Sequence, residues 1–88
     1  DATYENQDAA RELSKEVDVM IIIGGKNSSN TKQLHSICLE NCQDSYLIEN
    51  QNELQTSWFE AKNICGVTAG ASTPDWIIQE VVNKIQTL

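Results

Sequence analysis

Val17-Asp-Val-Met-Ile-Ile-Ile-Gly-Gly-Lys-Asn-Ser-Ser-Asn30 is an apolar run of strand length that stops at two glycines and passes into short polar residues. An unbroken apolar run rich in β-branched residues is the pattern of a strand buried on both faces, as in a parallel sheet. The polar residues after it open a new segment with helical periodicity. A strand-to-helix junction of this kind presents unpaired backbone N–H groups and the positive end of a helix dipole, which suits it to hold an anion. Ser28, Ser29 and Asn30 stand at that point and are the first candidates for function.

Working outward, residues 3–16 place Ala10, Leu13 and Val17 on one face, with Ala9 beside them, and read as an amphipathic helix capped by Thr3. After the strand over 18–24, residues 31–42 repeat at Leu34, Ile37, Cys38 and Asn41, again with helical spacing. A short strand over 45–49 follows, and Asn50 or Asn52 is placed to cap a short helix carrying Leu54, Trp58 and Phe59. A third strand over 64–69 runs into Gly70-Ala-Ser-Thr-Pro-Asp75. There Thr73 suits the N-cap, Pro74 the first helical position and Asp75 the first turn of a last helix. Ile77, Ile78, Val81, Val82, Ile85 and Leu88 give that helix a wide apolar stripe. Helices alternating with strands predict an α/β fold, a three-layer sandwich in which a small parallel sheet is covered by helices on both faces.

In such a sheet the C-terminal ends of the strands share one edge, where ligands bind. Loops 24–30 and 70–73 are both strand-to-helix loops and are expected to meet there, each joining glycines to hydroxyl or amide side chains. Neither contains the Gly-x-x-x-x-Gly-Lys-Ser/Thr phosphate loop or a Gly-x-Gly-x-x-Gly dinucleotide fingerprint. Pattern alone leaves two readings open, a phosphate or diphosphate site and a pair of ordinary helix caps, because both use the same donors.

Composition limits the functions further. An 88-residue chain is one domain, 1–88, that buries only roughly 60–65% of its unfolded surface. With 40% hydrophobic residues and no apolar run of membrane length, it is expected to be soluble and globular, without a membrane partner. A net charge of -7 with only six scattered Lys and Arg argues against nucleic acid as a partner. The three cysteines, Cys38, Cys42 and Cys65, are an odd number without a signal sequence, which favours reduced thiols in a cytoplasmic setting over a disulfide framework. The chain begins Asp1-Ala-Thr-Tyr without an initiating methionine, and is expected to be a piece of something longer.

Gly25-Lys-Asn-Ser-Ser-Asn30 followed by Leu34, with Gly66-Val-Thr-Ala-Gly-Ala-Ser-Thr-Pro-Asp-Trp76 downstream, resembles the C-terminal domain of the 4-hydroxy-3-methylbut-2-enyl diphosphate reductases, the IspH or LytB family. The resemblance covers essentially the whole chain. It implies an oxidoreductase of the non-mevalonate isoprenoid pathway that yields isopentenyl and dimethylallyl diphosphate. It also implies three similar α/β domains around a central iron-sulfur cluster of the 4Fe-4S type, and reduced ferredoxin or flavodoxin as electron donor. The family's diphosphate-binding serines and asparagine fall here on Ser28, Ser29, Asn30 and Ser72.

By the same resemblance Asp1-Ala-Thr3 matches the part of a Cys-x-Ala-Thr segment that follows a cluster cysteine, so that ligand is expected directly before Asp1. The other cluster cysteines, the diphosphate-binding histidines and the proton-delivering glutamate belong to the earlier domains. No catalytic residue, metal ligand or cofactor is therefore expected within this chain, and alone it is expected to be inactive. Asn6 departs from the arginine that many relatives carry before Gln7. Cys38, Cys42 and Cys65 match no family ligand and read as small buried hydrophobes, and His35 as a partly exposed surface residue. Trp58, Phe59 and Trp76 are expected in the core rather than on a stacking surface. Two other readings stand beside the family one: a free-standing α/β ligand-sensing or interaction module, and a thiol-based metal or redox site at Cys38 and Cys42.

Overall fold

A computed structural model describes residues 2–88, with side chains from Gln7 onward. Its order is α1 (Ala2–Ser14), β1 (Val19–Ile23), α2 (Ser29–Asn41), β2 (Ser45–Ile48), two 3-10 turns (Gln51–Glu53 and Thr56–Phe59), β3 (Cys65–Ala69) and α3 (Asp75–Thr87). The three strands are all parallel in the order β2-β1-β3. The Val17–Asn30 reading therefore places the central strand correctly. Ile23 pairs with Ile48 on one side and Ala69 on the other, so the three strand ends lie level along one edge.

All five residues of β1 are buried because both faces of the sheet are covered. Met20 and Ile22 pack with Ala10, Leu34, Cys38 and Cys42 under α1 and α2. Val19, Ile21 and Ile23 pack with Ile48 and Val81 under α3 and the 3-10 segment. Each fully buried aliphatic side chain contributes about 1.5–3 kcal/mol, so this one strand accounts for much of the core of both layers.

Several boundaries differ from the sequence expectation. α1 is already helical at Ala2, which puts the backbone of Thr3 inside the helix rather than at its cap, and it ends at Ser14. There the Ser14 hydroxyl donates to the Arg11 carbonyl and accepts from the Asn41 amide of α2, tying the two helices together. Ala9 is exposed, while Ala10 is buried. Asp1 lies outside the described residues, and so does the side chain of Asn6. The expected short helix after β2 is instead two 3-10 turns, the first capped by Asn50, whose side chain accepts the Asn52 N–H at 2.9 Å.

The aromatic residues divide. Trp58 stacks on Tyr46 of β2 with ring centroids 4.1 Å apart, and with Phe59 it packs against the α3 side of the core. Trp76 does not join them: it is 64% exposed, contrary to the core expectation. Its position in the first turn of α3 points away from the sheet, because Ile77, Ile78, Val81 and Ile85 form the face turned inward. Leu88 is also exposed, so the apolar stripe is narrower than its sequence suggested. Asp18 closes the opposite edge, where its carboxylate accepts the backbone N–H groups of Asn63 and Ile64 at 3.0 and 3.2 Å.

Candidate functional site

The two loops leave the sheet through its hydrogen-bond ladder. Gly24 N–H donates to the Ile48 carbonyl and Gly70 N–H to the Ile23 carbonyl, each at 2.9 Å. The Ile23 carbonyl also accepts the Thr73 hydroxyl at 3.0 Å. Thr73 is therefore not the N-cap of α3. Its hydroxyl is taken by a strand-end carbonyl fifty residues away in sequence, and Pro74 occupies the cap position without a side-chain bond. Asp75 stands in the first turn, where its charge complements the helix dipole.

At the start of α2, Ser28 is a true N-cap, its Oγ accepting the Thr31 N–H at 3.3 Å. The Lys32 N–H goes to the Ser28 carbonyl. Ser29 and Asn30, the first two helical residues, have N–H groups with no intrahelical acceptor. Asn30 joins the two loops, since its Oδ1 accepts the Ala71 N–H at 2.9 Å. That bond fixes the orientation of the amide, because only its oxygen can accept. The Asn30 Nδ2 is then a buried donor without a partner.

Thr31 was unmarked by the sequence, yet it sits under both glycine turns. A Cβ on Gly24 would lie 2.3 Å from the Thr31 Oγ1 and one on Gly70 would lie 2.5 Å from it. Neither glycine has a positive φ, so close approach to Thr31, and not backbone conformation, is what excludes a side chain. Between the turns is a cavity of about 210 Å³ bordered by Gly24, Gly25, Glu49, Ser72, Thr73 and Ile77. Ser72 is exposed on its wall, one residue beyond the Asn30 contact. Of the four predicted residues, Asn30 bonds the backbone of Ala71, the neighbour of Ser72, Ser72 borders the cavity, Ser28 caps α2, and Ser29 is exposed beside it.

Two carboxylates at this edge had no sequence signal. Glu49 Oε2 accepts the Lys26 N–H at 3.0 Å, and the Glu49 N–H donates to Glu53 Oε2 at 2.7 Å. Glu53 Oε1 pairs with the Lys26 ammonium. The hydrogen bond and charge of Lys26 hold the Glu53 carboxyl below the usual glutamate range, and Glu53 in turn raises Lys26.

The thiols offer a different environment. Cys38 and Cys42 are buried beneath α1 and α2, and Cys65 is half-buried at the start of β3. Burial pushes the Cys38 and Cys65 thiols up to about 11, which keeps them protonated at neutral pH. Among the described residues no group of three His, Cys, Asp or Glu is placed to hold a metal ion, so these side chains do not fit an iron-sulfur cluster. His35 is half-buried and its Nε2–H donates to the Ser45 carbonyl at 2.9 Å. Among the described residues no helix is long and apolar enough to cross a membrane.

Comparison with known proteins places this geometry. Residues 1–86 match the family described as LytB protein. The chain is 70% identical over 87 residues to a 4-hydroxy-3-methylbut-2-enyl diphosphate reductase of a Nitratiruptor species, covering 99% of this chain and 32% of that protein. It is 71% identical over 85 residues to the reductase of the same name from Wolinella succinogenes, covering 97% and 31%. The chain thus spans about a third of the length of these relatives. A solved structure of (E)-4-hydroxy-3-methyl-but-2-enyl diphosphate reductase, described as the terminal enzyme of the non-mevalonate pathway, superimposes with a TM-score of 0.97 at 50% identity, over 99% of this chain and 31% of that one. The E-1-hydroxy-2-methyl-but-2-enyl-4-diphosphate reductase of Plasmodium falciparum gives 0.85 at 27% identity, over 91% and 25%. With nearly every residue matched and the fold shared, the chain belongs to the LytB protein family.

Proposed function

We propose that this chain is the C-terminal, diphosphate-binding domain of a cytoplasmic 4-hydroxy-3-methylbut-2-enyl diphosphate reductase. The reaction is a reductive dehydroxylation: the allylic C–O bond breaks, the hydroxyl leaves as water, and two electrons and two protons enter to give isopentenyl or dimethylallyl diphosphate. In the parent enzyme a 4Fe-4S cluster, held by cysteines other than those of this chain, would supply the electrons, with reduced ferredoxin or flavodoxin as the donor. The task of this domain is to hold the diphosphate tail.

The observation that carries the reading is the hydrogen bond from the Ala71 N–H to the Asn30 Oδ1, which brings both strand-to-helix loops onto one edge of the sheet. It leaves Asn30 Nδ2, the Ser29 hydroxyl, the Ser72 hydroxyl and the first N–H groups of α2 as a group of neutral donors. Ser28 contributes by capping α2 and through its remaining hydroxyl donor capacity. Diphosphate oxygens accept from such donors at a helix N-terminus without needing a lysine.

Three variants of the full-length enzyme test this. Ser72→Ala and Asn30→Ala each remove a hydrogen bond to a charged group, worth about 1.5–3 kcal/mol, or roughly 10- to 100-fold in substrate affinity. Asn30→Asp separates ligand binding from loop closure, because it retains the acceptor for the Ala71 N–H but replaces the Nδ2 donor with an anionic oxygen. The buried position makes the new charge lower the melting temperature as well, so affinity is read where the variant is folded, and there affinity for the diphosphate should collapse. If melting falls in these variants and affinity does not, the residues are caps and the binding role is wrong.

A further inference from the structure

Residues Lys26, Glu49 and Glu53 form a closed circuit beside the cavity. Glu53 divides its carboxylate between two partners, Oε1 to the Lys26 ammonium and Oε2 to the Glu49 N–H at 2.7 Å. Glu49 returns the contact by accepting the Lys26 backbone N–H at 3.0 Å. The circuit joins the loop after β1 to the end of β2. Glu53 is itself seated by the first 3-10 turn, whose Asn50 cap accepts the Asn52 N–H through its side chain and the Glu53 N–H through its carbonyl.

We propose that Glu53 is a positioning residue for the diphosphate site, fixing the loop that carries Gly24, Gly25 and Ser28 without touching the substrate. The inference rests on the diphosphate reading given above. Gly25 is exposed and has nothing within ordinary contact of a would-be Cβ except the Ser28 Cβ at 3.9 Å, so packing does little to hold this turn. The circuit supplies the restraint that packing does not. It also has an electrostatic consequence of opposite sign, since two carboxylates and one ammonium place a net negative charge beside an anion site, and Glu53 occupies Lys26, the residue next to Gly25.

These two consequences predict opposite outcomes, which makes the role testable. If Glu53 acted only through its charge, removing it would free Lys26 and tighten diphosphate binding. If it positions the loop, removing it loosens the donors and weakens binding. In the full-length enzyme, Glu53→Ala should raise KM for 4-hydroxy-3-methylbut-2-enyl diphosphate, and Ki for inorganic pyrophosphate, by about three- to tenfold, the range of one or two partly exposed polar contacts, with kcat within about twofold. Glu53→Gln, which can still accept the Glu49 N–H, should recover part of the loss. Lys26→Met added to Glu53→Ala should add little, because both cut one circuit.

Ser72→Ala is measured beside them. A fall in KM for Glu53→Ala, or no change while Ser72→Ala raises it, overturns the positioning role and leaves the diphosphate site standing. A lower melting temperature or kcat with KM unchanged overturns it equally. If Ser72→Ala also leaves KM and Ki unchanged, the diphosphate reading fails and this inference fails with it.

Discussion

Gly24→Ala is the sharpest perturbation of the edge. Gly24 is buried and lacks a positive φ, so alanine brings no backbone penalty; the cost is contact alone. The new Cβ would lie 2.3 Å from Thr31 Oγ1, 2.8 Å from its Cγ2 and 3.1 Å from its Cβ. Thr31 cannot swing aside cheaply, being β-branched on a helix and only 1% exposed. Overpacking of this kind costs about 1–3 kcal/mol. At a urea dependence of about 1 kcal/mol per molar, the midpoint of unfolding should fall by about 1–3 M, read from the fluorescence of Trp58 on its Tyr46 stack.

Gly25→Ala is the internal control. Its Cβ would meet nothing closer than 3.9 Å and its φ is also ordinary, so it should be neutral or stabilising by up to about 1 kcal/mol. Thr31→Ala removes the two closest clashing atoms and leaves a Cβ contact that a small shift relieves. The cost of Gly24→Ala should therefore drop below about 1 kcal/mol in that background. Equal effects at Gly24 and Gly25, or a Gly24 cost undiminished by Thr31→Ala, would refute the close-approach argument.

Other outcomes follow from the same contacts. Asp18→Ala removes the acceptor of two backbone N–H groups at the entry to β3 and should cost about 1–2 kcal/mol by urea unfolding, whereas a loss below about 0.3 kcal/mol would show that water replaces it. At pH 7.5 a disulfide reagent should modify Cys38 and Cys65 far more slowly than an unfolded thiol, because both are held protonated up to about 11, and all three thiols should react once urea is added. Asp44 and Glu53 have carboxyls lowered by Lys62 and Lys26, so their stabilisation is present above the ordinary carboxylate range and is lost as pH falls through the depressed values. Asp44→Asn with Glu53→Gln should flatten the acid limb of stability against pH, and salt should do so in part because these pairs are partly exposed. An unchanged acid limb in the double variant would refute that assignment.

The sequence made the layers legible where burial was continuous or periodic. Met20 to Ile23 could only be a strand covered twice, and Leu34 with Cys38 could only face a core from a helix. It misled where the deciding partner is remote in the chain. Thr73 has a cap residue's chemistry at a cap residue's place, yet its hydroxyl goes to the Ile23 carbonyl, which no local pattern reveals. Trp76 was expected inside as an aromatic at helical spacing in a small chain, but the inward face of α3 was set by Ile77, Ile78, Val81 and Ile85. Glu49 and Glu53 carried no sequence signal, because their partner Lys26 lies in the loop after another strand. At the site, residue types pointed to the edge, while only the fold showed that Asn30 rather than a serine joins the two loops.

Charge gives the edge its division of labour. A diphosphate brings several negative charges, and Lys26, in the loop after β1, is already paired with Glu53. Neutral donors at a helix start orient an anion well but offset only about half a unit charge through the dipole. In the proposed complex, this domain therefore sets where the phosphate oxygens sit, while its neutral donors offset only a small part of their charge. Restoring a cation here should tighten diphosphate binding while relaxing its placement. Exchanging Ser29, exposed at the first helical position, for lysine should thus lower the Ki for inorganic pyrophosphate more than it lowers KM/kcat for the substrate. Equal gains in both would show that charge, not donor geometry, limits this site.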